Sequence, residues 1–113
     1  MRILESPIPM SEVADAARAG FGEMVKAVVD VERGVMAIAG DLHADEEALL
    51  IQSGSLQRNL WGINIYPDLA VAEQIEFDSM INIRPSAGNR SRGVDDPALR
   101  ERIVQIVHDL INP

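Results

Sequence analysis

Apolar residues recur along this chain with two periods, one helical near its ends and one of two residues between them. The clearest helical stripe comes last: Leu99, Ile103, Ile106, Val107 and Leu110 fall on one side of a helix. Asp95 or Asp96 caps it, and Pro97 takes its first position, where a missing N–H costs nothing. A shorter helix is predicted after Pro7 and Pro9, which keep the chain extended. Ser11 caps it, Glu12 and Asp15 lie near its positive end, Val13, Ala16 and Ala17 give it a thin apolar side, and Gly20 stops it.

The middle of the chain reads as strands. MVKAVVDV, residues 24–31, is rich in β-branched residues, with Val25, Ala27, Val29 and Val31 on one face; Glu32, Arg33 and Gly34 then turn the chain into VMAIAG. So few polar residues in the second strand place this hairpin centrally in a sheet. LWGINIY, residues 60–66, opposes Leu60, Gly62, Asn64 and Tyr66 to Trp61, Ile63 and Ile65, and Pro67 ends it. The alternation returns from Gln74 to Arg84, where Ile75, Phe77, Ile81 and Ile83 share a face with Ser79, until Pro85, which has no N–H to donate. Matching Ile63 and Ile65 to Ile81 and Ile83 on the core side puts Asn64 and Tyr66 on the same face as Asn82 and Arg84.

Residues 41–55, DLHADEEALLIQSGS, are ambiguous. Asp45 can cap a helix through Glu46, Glu47, Ala48 and Leu49, while the short apolar run Ala48 to Ile51 suits a buried strand. With fewer than about ten residues before Gly54, length favours the strand. The expected architecture is α+β: an antiparallel sheet of four or five strands, flanked by an N-terminal and a C-terminal helix packed on one face. With 113 residues, the chain is expected to be a single domain, residues 1–113, burying roughly two thirds of its unfolded surface.

Composition narrows the function classes. A formal charge of -8 opposes a non-specific grip on nucleic acid or an anionic membrane. One Trp, one Tyr and two Phe offer few rings on which bases could stack. There is no cysteine, hence no disulfide or thiolate chemistry, and MRILESPIP lacks the apolar core of a signal peptide. A cytoplasmic location is the expectation.

Within this acidic chain, Ile83 to Val94 holds three arginines and no acid. Arg84 and Asn82 are neighbours on one strand face, about 7 Å apart. With Asn64 opposite and the loop Gly88, Asn89, Arg90 and Arg92 beyond, they form a candidate anion site: guanidinium forks and glycine-loop N–H groups both suit carboxylate or phosphate. The structural alternative pairs Arg84 with an acid such as Asp78 or Glu76, turns the asparagines into the loop and leaves Arg90 and Arg92 solvated. GNRSRG lacks the spacing of a phosphate-binding loop. A second candidate is His43, Asp45 and Glu47, which on an extended chain point the same way and are suitable ligands for zinc, manganese or iron; such a metal would activate water for hydrolysis. The alternative there is a solvated acidic loop. Asp78 with Glu47 is a conceivable acid and base pair whose distance no spacing fixes. Trp61 and Tyr66 read as packing, His108 as a cation favoured by the end of its helix, and no serine lies in a nucleophile motif.

At LHAD, WGIN and FDSMINIRPSAGN the chain resembles a family of short bacterial proteins known as a domain of unknown function, from about Phe21 to the final helix. The resemblance implies no activity, no cofactor and no assigned site residue. The leading expectation is a binding or regulatory module for an anionic small molecule or a partner's acidic segment. Its rivals are a small metal-dependent hydrolase centred on His43 and a homodimer joined through Asn64, Asn82 and Tyr66.

Overall fold

In the computed structural model, which describes residues 1–113, the strands are β1 (Arg2–Leu4), β2 (Ile8–Pro9), β3 (Val25–Asp30), β4 (Val35–Gly40), β5 (Leu60–Ile65), β6 (Ile75–Glu76) and β7 (Ile111–Asn112). The helices are α1 (Met10–Ala19), α2 (His43–Gln52) and α3 (Pro97–Leu110). The main sheet has the order β1-β4-β3-β5-β6 with every neighbouring pair antiparallel. A two-stranded parallel pair, β2 with β7, ties the two ends of the chain together. The fold is α+β, and none of its helices is long and apolar enough to cross a membrane.

The hairpin forms where the β-branched runs predict it. At its turn, Asp30 Oδ1 accepts the Glu32 and Arg33 N–H groups at 2.9 Å each, and Gly34 takes a φ of 68° that a side chain would resist. Alternation then sorts the sheet into two faces. Val25, Ala27, Val29, Met36, Ile38, Trp61, Ile63 and Ile65 join Val13 and Ala17 of α1 and Ile103, Ile106, Val107 and Leu110 of α3 in the larger core. Asp96 caps α3 by accepting the Ala98 N–H, with Pro97 in its first turn, and Gly20 closes α1. The first helix starts at Met10 with no side-chain cap, so Ser11 lies inside it and not at its cap.

Two expectations are corrected. Residues 45–52 are not a strand: they belong to α2, a helix packed on the second sheet face, where Val28, Ala37, Leu50 and Leu60 form a smaller core. The three residues α2 buries are His43, Glu46 and Leu50, at positions i, i+3 and i+7. Two of the three are polar, so the helix has no apolar stripe to read, and Ile51 of the apolar run is 44% exposed.

The alternation from Ile75 to Ile83 is likewise not one strand. Only Ile75–Glu76 pairs, opposite Ile65 and Asn64. The chain then leaves the sheet, and Ser79 caps a short 3-10 turn, Met80–Asn82, through the Ile81 N–H. Ile81 packs against the smaller core on the second face and Ile83, 38% exposed, joins neither core, so neither lies beside Ile63 and Ile65 on the α1 and α3 side.

Candidate functional site

What Asn82 and Arg84 do explains the false strand. Beyond the two residues of β6, the edge of β5 has no backbone partner, and exposed peptide groups at a sheet edge must be satisfied or covered. The Asn82 side chain supplies both halves of a missing peptide: Oδ1 accepts the Gly62 N–H at 2.8 Å and Nδ2 donates to the Gly62 carbonyl at 2.9 Å. Two residues on, Arg84 Nη2 donates to the Leu60 carbonyl. Hydrogen-bonding groups recur every second residue along a strand edge, so side chains two residues apart can read it. Gly62 is required beneath them, since a Cβ there would lie 2.5 Å from the Ser79 side chain.

Asn89 holds the following loop in the same manner. Its Nδ2 donates to the carbonyls of Asn82 at 2.7 Å and Gly93 at 2.9 Å, and its Oδ1 accepts the Asp95 N–H at 2.8 Å. Arg84 and Asn89 exchange backbone hydrogen bonds across the turn that Gly88 completes at a φ of 80°. The Arg84 guanidinium stacks 4.7 Å from the Trp61 ring centroid and stands 3.6 Å from Glu47 Oε2. Enclosure lowers its pKa, and the Glu47 carboxylate opposes that shift. Arg92 Nε donates to Asp78 Oδ1 at 2.6 Å, and Arg90 is exposed with its N–H on Asp95. Asn64, Asn82, Arg84, Asn89, Arg90 and Arg92 therefore do not meet around one point. Asn82 and Asn89 are fully engaged within the chain, and Arg84 faces Glu47. Only Asn64 and Arg92 reach the cleft described next. Asn82 has no exposed surface at all, which removes it from any dimer face.

His43, Asp45 and Glu47 also separate, because a helix turns them about 100° per residue instead of aligning them. His43 is buried against β5, Asp45 is exposed, and Glu47 faces Arg84; no three His, Asp or Glu side chains are grouped to hold a metal ion.

An open cleft of about 510 Å³ lies on the second sheet face, between the first turn of α2 and residues 76–81. Its floor is a row across three strands, in which Lys26 of β3 lies opposite Asn64 of β5 and Asn64 opposite Glu76 of β6. Leu42, His43 and Ala44 form one wall and Asp78, Ser79, Met80 and Ile81 the other, with Tyr66 and Arg92 at the rim. His43 Nε2 donates to the Ile63 carbonyl at 2.8 Å. Burial lowers the His43 pKa, so the ring is neutral at neutral pH despite that hydrogen bond. Asn64 Nδ2 donates to Glu76 Oε1 at 2.8 Å, and the Tyr66 hydroxyl donates to the same oxygen at 3.2 Å. Desolvation and then the Glu76 carboxylate raise the Tyr66 pKa, which keeps the hydroxyl a donor. Asn64 Oδ1 meets no donor, although the residue is only 5% exposed.

Behind the cleft, on the same side of α2 as His43, Glu46 is buried completely. Its Oε2 accepts the Gly40 N–H at 3.0 Å, at a bulge where Ala39 takes a φ of 65°. Burial raises the Glu46 pKa to about 8, against the pull of the Gly40 N–H and of Lys26. The sequence singles out none of Lys26, Glu46 and Glu76 for the cleft: Glu46 reads only as a residue of a possible helix after Asp45, and Glu76 only as a possible partner of Arg84. Lys26 and Glu76 sit at ordinary polar positions of alternating strands, and Glu46 looks like one more acid on a charged segment.

A family model described as a protein of unknown function, DUF5674, matches residues 2–110. The chain belongs to that family. Leu42, His43 and Asn64, from the LHAD and WGIN stretches of this DUF5674 chain, line the cleft, while Asn82, Arg84 and Asn89 of the third stretch knit the edge beside it. Neither a curated protein nor a solved structure matches the chain.

Proposed function

We propose that this DUF5674 protein is a binding module whose cleft beside α2 takes a small anionic molecule. The observation that carries the reading is the Lys26 ammonium, which lines the cleft with no carboxylate within ion-pair distance. The anion's own partners are Lys26 and the start of α2. The Lys26 ammonium has the Phe21 ring at 5.3 Å but no carboxylate within ion-pair distance, since the ion pairs of the chain use Arg18, Arg84 and Arg92. Leu42 gives α2 no side-chain cap, leaving the first-turn N–H groups of His43 and Ala44 open at the positive end of the helix. A volume of about 510 Å³ suits a small molecule better than an acidic segment of a partner protein.

The test is an amide NMR titration with carboxylate and phosphate metabolites at fixed ionic strength. Saturable shifts are expected at Lys26, His43, Ala44 and Asn64, and Lys26→Met weakens them while the melting temperature holds. Binding that Lys26→Met leaves unchanged, or an absence of saturable shifts at these amides, overturns the reading.

A further inference from the structure

We infer that the ligand of this cleft is a monocarboxylate with an apolar body, its head on Lys26 and its body between Leu42 and Met80. The inference rests on the binding reading above and names the class of anion. Leu42 and Met80 line the cleft from opposite walls and stand open to whatever enters it, 58% and 64% exposed. Apolar residues scattered singly over a surface need no explanation, but these two belong to a continuous track. Ile81 follows Met80 on the same wall, and both also line an adjoining hollow together with Ile83. The cation is set in similar company: Lys26 shares the cleft with Met24, and the Phe21 ring lies 5.3 Å from its ammonium.

A polar anion such as inorganic phosphate meets Lys26 but leaves the apolar surface of Leu42 and Met80 in water. An apolar body covers both walls, and full burial of one methylene is worth about fourfold in affinity. Methionine suits such a wall, because its unbranched side chain adapts to bodies of different shape. The rest of the floor bears on the charge of the head. Asp78 is held by Arg92, whereas Glu76 receives only the neutral Asn64 and Tyr66 donors and forms no ion pair. Its carboxylate opposes a second negative charge nearby, which favours a carboxylate over a phosphate dianion.

The experiment is an amide NMR titration of the full chain at fixed ionic strength with acetate, butyrate, hexanoate and octanoate, and with hexanol and inorganic phosphate as controls. Saturable shifts are expected at Lys26, His43, Ala44 and Met80. Each added methylene tightens binding about twofold to fourfold until the walls are covered, so hexanoate binds at least about tenfold more tightly than acetate, phosphate or hexanol. Replacing both walls, Leu42→Ala with Met80→Ala, brings hexanoate to within about threefold of acetate, while Lys26→Met weakens every carboxylate of the series. If acetate or phosphate binds as tightly as hexanoate, or if the double variant keeps the hexanoate preference, the apolar-body inference falls and the anion-binding reading stands. If hexanol binds as tightly as hexanoate, or if no probe shifts these amides, both fall.

Discussion

On one side of the central sheet, α1 and α3 press Val13, Ala17, Ile103, Ile106 and Val107 onto Val25, Ala27, Val29, Ile63 and Ile65, all buried and all apolar. On the other side α2 presses His43 and Glu46 toward a row containing Lys26 and Asn64, with Leu50 the one apolar residue it buries. Burial of apolar area stabilises at roughly 25 cal/mol per Å², whereas a buried polar group at best recovers the hydration it gives up. The first face therefore supplies most of the stability. The second retains groups that weaken packing: a carboxylate with a displaced pKa, a neutral histidine and an unpartnered amide oxygen. Such groups gather where a protein does chemistry or recognition, and here His43 and Asn64 line a cleft with Glu46 buried behind it.

Substitutions measure that contrast. Ile106→Ala on the apolar face removes a side chain that is 1% exposed, and denaturant unfolding is expected to show a loss of about 2–5 kcal/mol. Asn82→Ala strips the Gly62 N–H and carbonyl of their partners and is expected to cost about 2–3 kcal/mol. A loss as large as that of Ile106→Ala would mean that the β5 edge matters as much as the core.

The third measurement uses pH. The Glu46 pKa is near 8 in the fold against 4.5 in an unstructured chain. Below 4.5 both states hold the proton and the stability is complete. As pH rises toward 8 the unfolded chain releases its proton and the folded one keeps it, so stability falls, at most about 1.4 kcal/mol per pH unit. Glu46→Gln keeps an acceptor for the Gly40 N–H and is expected to flatten this decline; an unchanged slope in the variant would assign the decline to other groups. The smallest effect is expected at Arg90, whose side chain is solvated. Arg90→Ala shifts stability by less than about 0.5 kcal/mol, and a larger loss would give this arginine a structural part in the loop.

Much of the apolar face was legible in the sequence and little of the polar one. Periodicity located the hairpin, β5 and α3 with its Asp96 cap and Pro97, because burial on one side of a regular element leaves a regular trace. The same reasoning failed at α2, whose buried stripe is His, Glu and Leu. It failed again after Glu76, where period two persists because Asn82 and Arg84 read alternate positions of β5 with their side chains. The structural alternative for the arginine loop holds in part: the asparagines turn inward and Arg84 stands beside an acid, but that acid is Glu47 instead of Asp78 or Glu76, and Asp78 pairs with Arg92.

By itself the sequence determined the class of fold, the central hairpin, both terminal helices and the likeness to a family of unknown function, since each is written in local spacing or in contiguous residues. Tertiary structure alone decided the cleft. Lys26, His43, Asn64 and Glu76 lie on four separate elements and become neighbours through strand register and the docking of α2. No local pattern encodes that meeting, because register and docking are settled by the burial of other side chains, and the polar groups are carried to one place with them.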